Sequence, residues 1–212
     1  MERLSDKAGV STSNELRARN LRTLAALAGL FLLPLLFAFW MYYATDWRPG
    51  AHVNHGVLIS PVRPLPHVQL PRVGLEGGVG ASAGTVAAEQ KWSLVYLGMG
   101  SCDESCRQAL YVMRQVRLYL NTDMTRVVRV FLSTGECCAR EFLAHEHPGL
   151  VVLDASGPDA APLLREFPAD GREHSLFIVD PLGNLMMSYD VRQDQRGLIQ
   201  DLQKLLRLSH IG

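Results

Sequence analysis

The sequence is short of cysteine, of net charge and of internal repetition, and each shortage narrows what the chain can do. Its four cysteines, Cys102, Cys106, Cys137 and Cys138, are too few and too clustered for the framework of a small disulfide scaffold. Their spacing points instead to metal or redox chemistry. Charge cancels, with 21 basic residues against 21 acidic and no basic stripe, so the electrostatic footprint of a nucleic-acid binder is missing. No internal repeat is visible, and 212 residues leave room for one ordinary domain plus extra segments.

Long apolar runs are scarce too, but the one that exists is informative. Leu24–Tyr43 (LAALAGLFLLPLLFAFWMYY) is 20 residues without a charge, the length a helix needs to cross a hydrocarbon core. Trp40, Tyr42, Tyr43 and Trp47 gather at its far end, where amphipathic rings prefer the interface. Lys7, Arg17, Arg19 and Arg22 precede it, whereas only Arg48 and Arg63 follow over a comparable stretch, which orients the N-terminus to the cytoplasm. The run exceeds a signal-peptide core and no small-x-small cleavage site follows closely, so it reads as an uncleaved anchor. Glu2, Asp6 and Glu15 fit poorly with an acid-poor mitochondrial transit peptide. The expected location is therefore a bacterial inner membrane, crossed once, with everything beyond residue 45 on the periplasmic side.

Proline and glycine are concentrated in one segment. Pro49, Pro61, Pro64, Pro66 and Pro71 are followed by Gly74, Gly77, Gly78, Gly80 and Gly84, a composition that disfavours long regular elements. This predicts a spacer with one strand around Val57 to Ile59. The expected organisation is then a cytoplasmic segment (residues 1–23), a transmembrane helix (24–43), a Pro/Gly-rich spacer (44–90) and a folded domain (91–212).

In that last part, strand-length apolar runs alternate with helix-length periodic stretches, the pattern of an α/β domain. Trp92–Leu97, Val127–Leu132, Leu150–Leu153, Leu176–Val179 and Leu185–Tyr189 read as strands, the last two joined by the turn Asp180-Pro181-Leu182-Gly183. Helices fit Cys102–Leu120, Cys138–His145, Ala161–Phe167 and Gln195–Leu208. The order β-α-β-α-β-α-β-β-α is compatible with a thioredoxin-like core.

Ser101 followed by Glu104 forms a capping-box pattern, which predicts that Cys102 and Cys106 sit in the first turns of a helix and share one face. Orphan backbone N–H groups and the helix dipole stabilise thiolates there, and thiolate is the form that binds soft metals and attacks disulfides. Spacing leaves both chemistries open. The chain has no C-x-x-C; three residues separate this pair, so the sulfurs can close a disulfide or grip one ion that needs a third ligand from elsewhere.

Two motifs resemble the Sco (SenC) family of cytochrome oxidase assembly proteins over residues 88–208. They are Cys102-Asp103-Glu104-Ser105-Cys106 directly after a strand, and His174-Ser175-Leu176-Phe177-Ile178-Val179-Asp180-Pro181-Leu182-Gly183 further on. The resemblance implies an anchored thioredoxin-like protein that binds copper through Cys102, Cys106 and His174. Such a set of two thiolates and an imidazole suits Cu(I). Thioredoxin-like oxidoreductases usually place a cis-proline where this chain has His174, which favours ligation over general disulfide exchange. Asp103 and Arg107 stand where the family commonly has prolines, marking a divergent member. The implied role is a metallochaperone rather than an enzyme, acting on the copper-bearing subunit of cytochrome c oxidase. The competing reading is a thiol-disulfide reductase that keeps that subunit's cysteines reduced, with Cys102 and Cys106 as its redox-active thiols. A third is a scaffold with vestigial thiols. Cys137 and Cys138 read as helix-packing residues or a relay pair; His52, His55, His145 and His147 as solvated side chains, with metal donors as the alternative; Met113 as core; Met99 as a weak soft donor.

Overall fold

The computed structural model describes residues 3–44, 54–75, 83–87, 90–135, 139–209 and 211, and divides into two units, residues 1–51 and 52–212. The first unit contains one helix, α1 (Arg3–Ala44), which runs through Pro34. Its stretch Arg17–Ala44 is long and apolar enough to cross a membrane. Leu30, Phe31, Phe37 and Trp40 on it are exposed, as lipid-facing side chains would be.

The second unit runs β1 (Val57–Pro64), β2 (Leu70–Pro71), β3 (Ala83–Gly84), β4 (Trp92–Gly98), α2 (Glu104–Tyr119), β5 (Val127–Ser133), α3 (Arg140–Glu146), β6 (Val151–Asp154), α4 (Ala161–Glu166), β7 (Ser175–Val179), β8 (Asn184–Asp190) and α5 (Gln195–Leu208). From β4 onward this is the expected order of elements. A six-stranded sheet forms in the order β1-β8-β7-β4-β5-β6. The pairs β4·β5 and β5·β6 are parallel, while β7 joins β4, β8 joins β7 and β1 joins β8 antiparallel.

Burial explains which run becomes which strand. β4 is the uninterrupted apolar run WSLVYLG, buried over its first six residues, and it lies inside the sheet with both faces covered. β8 alternates, burying Leu185, Met187 and Tyr189 and leaving the residues between partly exposed, as befits a strand near the margin. On one face Leu94, Tyr96, Phe131 and Ile178 pack with Ala109, Leu110, Met113 and Val116 of α2 and Leu198, Leu202 and Leu206 of α5. On the other, Val95, Leu97, Val130 and Phe177 pack with Leu163 and Phe167 around α4. Each fully buried side chain of this size contributes roughly 1.5–3 kcal/mol.

The Pro-rich part of the segment expected as a spacer belongs to this unit. The strand anticipated at Val57 to Ile59 runs on to Pro64 and pairs with β8, with an irregular register between Leu58 and Arg63. Composition disfavours a long strand here because proline donates no ladder hydrogen bond; on a sheet margin, where one row of N–H groups faces outward, Pro61 and Pro64 are tolerated. Asp201, buried on α5, accepts the amides of His55 (2.7 Å) and Gly56 (2.9 Å), pinning the start of β1. At the opposite margin the Val73 amide donates to Val152 of β6 (2.9 Å), and Arg72 bridges Leu153.

Candidate functional site

Two loops at one end of the central strands carry the residues singled out by sequence. The first leaves β4 at Gly98, whose carbonyl accepts the Thr134 amide (2.9 Å) and hydroxyl (3.3 Å), tying the loop to the end of β5. Met99 to Cys102 then forms a tight turn, closed by the Cys102 amide donating to the Met99 carbonyl (3.1 Å). Cys102 has φ +49°, the left-handed region. That conformation prevents the helix from starting at Ser101 as the capping-box pattern predicts. The observed N-cap is Asp103, whose carboxylate accepts the Cys106 amide at 3.0 Å. Cys102 therefore lies outside the helix and Cys106 in its first turn, so the two do not share a helix face.

They are nevertheless joined. Cys102 and Cys106 form a disulfide with Cα atoms 5.0 Å apart. Both are buried, at 2% and 1% exposure. Arg107 donates from Nε to the Cys102 carbonyl (3.5 Å) and stacks its guanidinium 4.7 Å from the centre of the Phe142 ring.

The second loop precedes β7. Gly171, at φ +63°, reverses the chain into a short 3₁₀ turn, Arg172–His174, closed by the His174 amide on the Gly171 carbonyl (3.0 Å). Arg172 donates to the carbonyls of Phe167 (2.6 Å), Pro168 (3.0 Å) and Leu164 (3.3 Å), anchoring the turn to the carbonyl end of α4. The His174 carbonyl accepts the Val191 amide (2.8 Å) just beyond β8. The imidazole is three-quarters buried, its Nδ1 is buried without a hydrogen-bond partner, and its Nε2 lies 3.9 Å from the Glu173 carboxylate. Asp190, whose carboxyl is held below its usual value chiefly by the hydrogen-bonded Arg192, lies nearby.

The turn packs against α2 and β4. Tyr96, a buried strand residue that sequence reading treated as core, donates its hydroxyl to the Glu173 carbonyl (3.1 Å). Burial raises its pKa, and the Asp103 and Glu173 carboxylates add to the effect. One phenol thus senses an acid of the cysteine loop and an acid of the histidine turn. A lone tyrosine in an otherwise apolar strand was the available signal.

The structure brings Cys102 and Cys106 together and sets His174 on the neighbouring turn. Among the described residues no three His, Cys, Asp or Glu side chains are grouped as a metal-holding set. Cys137, Cys138 and His52 lie outside the described residues. Met113 is core as expected, and Met99 is 66% exposed. His147 departs from the solvated expectation, while His55 is half-exposed. His55 bonds through Nδ1 to the buried Asp201 (3.2 Å). His147 is buried beside Arg129, and its pKa is lowered to about 4 by burial first and then by Arg129 and Arg114. His145 is exposed and bonds Glu146 (3.0 Å).

Solved structures of the same fold include yeast Sco1 with copper bound, at 14% identity and a TM-score of 0.56, covering 68% of this chain and 92% of that one. Arabidopsis thaliana ScoI with copper bound is similar at 18% identity and a TM-score of 0.53, covering 68% and 99%. Bradyrhizobium japonicum ScoI with copper bound follows at 16% identity and 0.51, covering 66% and 98%. At such identities the likeness establishes the thioredoxin-like fold alone. No curated protein matches the sequence. The family described as transmembrane-like, thioredoxin-like, C-terminal domain matches residues 92–209, more than half of the chain, and the chain belongs to that family.

Proposed function

We propose that this chain is a membrane-anchored, Sco-like assembly factor whose cargo is copper, held by Cys102, Cys106 and His174 and passed to the copper-bearing subunit of cytochrome c oxidase. In this reading α1 crosses an inner membrane once, with its N-terminus cytoplasmic and the sheet domain in the periplasm. Three structures with this fold carry copper in their own right, which supports the choice of metal. The observation that carries the reading is the His174 ring, whose buried Nδ1 has no hydrogen-bond partner and which stands on the turn packed beside α2. A buried polar atom without a partner is costly, and ligation of a soft cation is one use that repays an imidazole there.

The disulfide sets the order of events. Oxidised, the cysteines offer no thiolate. Reduction by an external dithiol, itself converted to a disulfide, breaks the S–S bond and adds two protons and two electrons, giving two thiols. Loss of those protons yields the two thiolates a soft cation requires. Cys106, in the first turn of α2, has the helix dipole in its favour.

A reductase acting on the same subunit is the second reading, and the formed Cys102–Cys106 bond speaks for it. The near-complete burial of both cysteines speaks against ready exchange with a bulky partner. The two separate in one experiment: anaerobic titration of the reduced full chain in detergent with Cu(I) against a competing chelator, alongside His174→Ala. One-to-one binding that the substitution weakens about a hundredfold is expected, comparable to the upper range for perturbing a metal site. Wild-type binding too weak to compete, together with rapid exchange of the disulfide with partner thiols, would leave the reductase in front.

A further inference from the structure

We propose that Tyr96 is a positioning residue that sets the His174 turn against the cysteine loop; the proposal rests on the copper reading above. Its contacts with both gather at the hydroxyl end of its ring. Its hydroxyl donates to the Glu173 carbonyl at 3.1 Å, one residue before His174. Beneath the other loop, a Cβ placed on Gly98 would meet the Tyr96 ring at 2.7 Å and its hydroxyl oxygen at 3.0 Å. The chain enters the cysteine loop directly over this ring, and glycine is what allows the approach. The ring has little freedom to move: Tyr96 is 1% exposed and stacks on Phe131 with centroids 5.8 Å apart.

The hydroxyl is what needs explaining. Phenylalanine would fill the same volume in a strand of apolar neighbours, and a buried hydroxyl costs stability unless it is hydrogen-bonded. Other tethers hold the turn in other directions. Arg172 binds it to the carbonyl end of α4, and the Val191 amide holds the His174 carbonyl beyond β8. Tyr96 ties it toward the cysteines. Its pKa is raised by the carboxylates of both Asp103 and Glu173, after burial, which registers the same adjacency by charge.

The decisive variant is Tyr96→Phe, which keeps the ring and deletes the bond, studied in the full chain in detergent. Two measurements are needed. Hydrogen exchange of the Gly171–Ser175 segment in the metal-free reduced protein is expected to rise about fivefold, the worth of one neutral hydrogen bond, with β5 unchanged. In a double-mutant cycle with His174→Ala, Tyr96→Phe is expected to weaken Cu(I) binding about fivefold in the wild-type background and not at all once His174 is gone. Unchanged exchange, or equal loss of affinity in both backgrounds, overturns the proposal, because a merely structural tyrosine would act without His174. Affinity that responds to His174→Ala but not to Tyr96→Phe overturns it while leaving the copper reading intact. Affinity indifferent to His174→Ala overturns the copper reading and this role together.

Discussion

Two histidines in this domain share an uncommon feature, a buried Nδ1 without a hydrogen-bond partner, and their surroundings are opposite. His147 follows α3 beside the buried Arg129: burial first, then Arg129 and Arg114, lower its pKa to about 4, with Glu146 partly opposing them. His174 has the Glu173 carboxylate 3.9 Å from Nε2, and nearby Asp190 is paired with Arg192 (2.6 Å). A buried guanidinium thus neighbours the first ring, whereas an exposed carboxylate neighbours the second. An orphaned nitrogen is therefore not enough to define a ligand; the nearest charged group and the degree of burial also distinguish a tolerated core imidazole from a candidate donor.

The sharpest way to break this contrast is to exchange the roles in the copper titration. His174→Ala should cost about a hundredfold in Cu(I) affinity, whereas His147→Asn should leave it within about threefold; comparable losses would show that burial, not charge, decides. The second test is pH. His147 has a folded pKa below its unfolded value near 6.5, so the folded state favours the neutral ring. Its contribution to stability is complete above about pH 6.5 and is lost as the pH falls toward about 4, on the order of 2 kcal/mol. Thermal unfolding across that window should slope downward with falling pH in the wild type and flatten in His147→Asn. The smallest effect belongs to Glu173→Gln, which removes an exposed carboxylate beside His174 and should weaken Cu(I) binding by about threefold, less at high salt.

The parts of this fold that were legible in sequence are those governed by local pattern. Apolar runs gave the central strands, and helical periodicity gave α2 and α5, because burial of one stripe or of a whole run is written residue by residue. The cysteine pair was visible as spacing, and His174 through a motif. What stayed hidden depends on partners distant in sequence or on a single backbone angle. Ser101 offered a sound capping pattern, but the left-handed turn at Cys102 moves the helix start to Asp103, and no propensity encodes that angle. β1 was anticipated at Val57 to Ile59, but its continuation to Pro64 was masked by prolines, since composition does not say whether a strand lies inside a sheet or at its margin. Asp201 and His147 look like ordinary surface residues until the chain folds; one is then enclosed by the amides of His55 and Gly56, the other by β5. Tyr96 reads as one more core aromatic, and its hydroxyl acquires meaning when the turn before β7 arrives beside it.

The treatment of the sheet's two margins has a consequence for life at a surface. An anchoring helix would confine copies to a plane, where encounters are frequent and an open strand invites a neighbour to add its own. Here one margin is β1, interrupted by Pro61 and Pro64 and by its irregular register, and at the other Arg72 and Val73 already pair with β6. Both ends of the ladder are thus spoken for by residues 57–73 of the folded unit. The same stretch of chain would also discourage crowded copies from polymerising through their sheets.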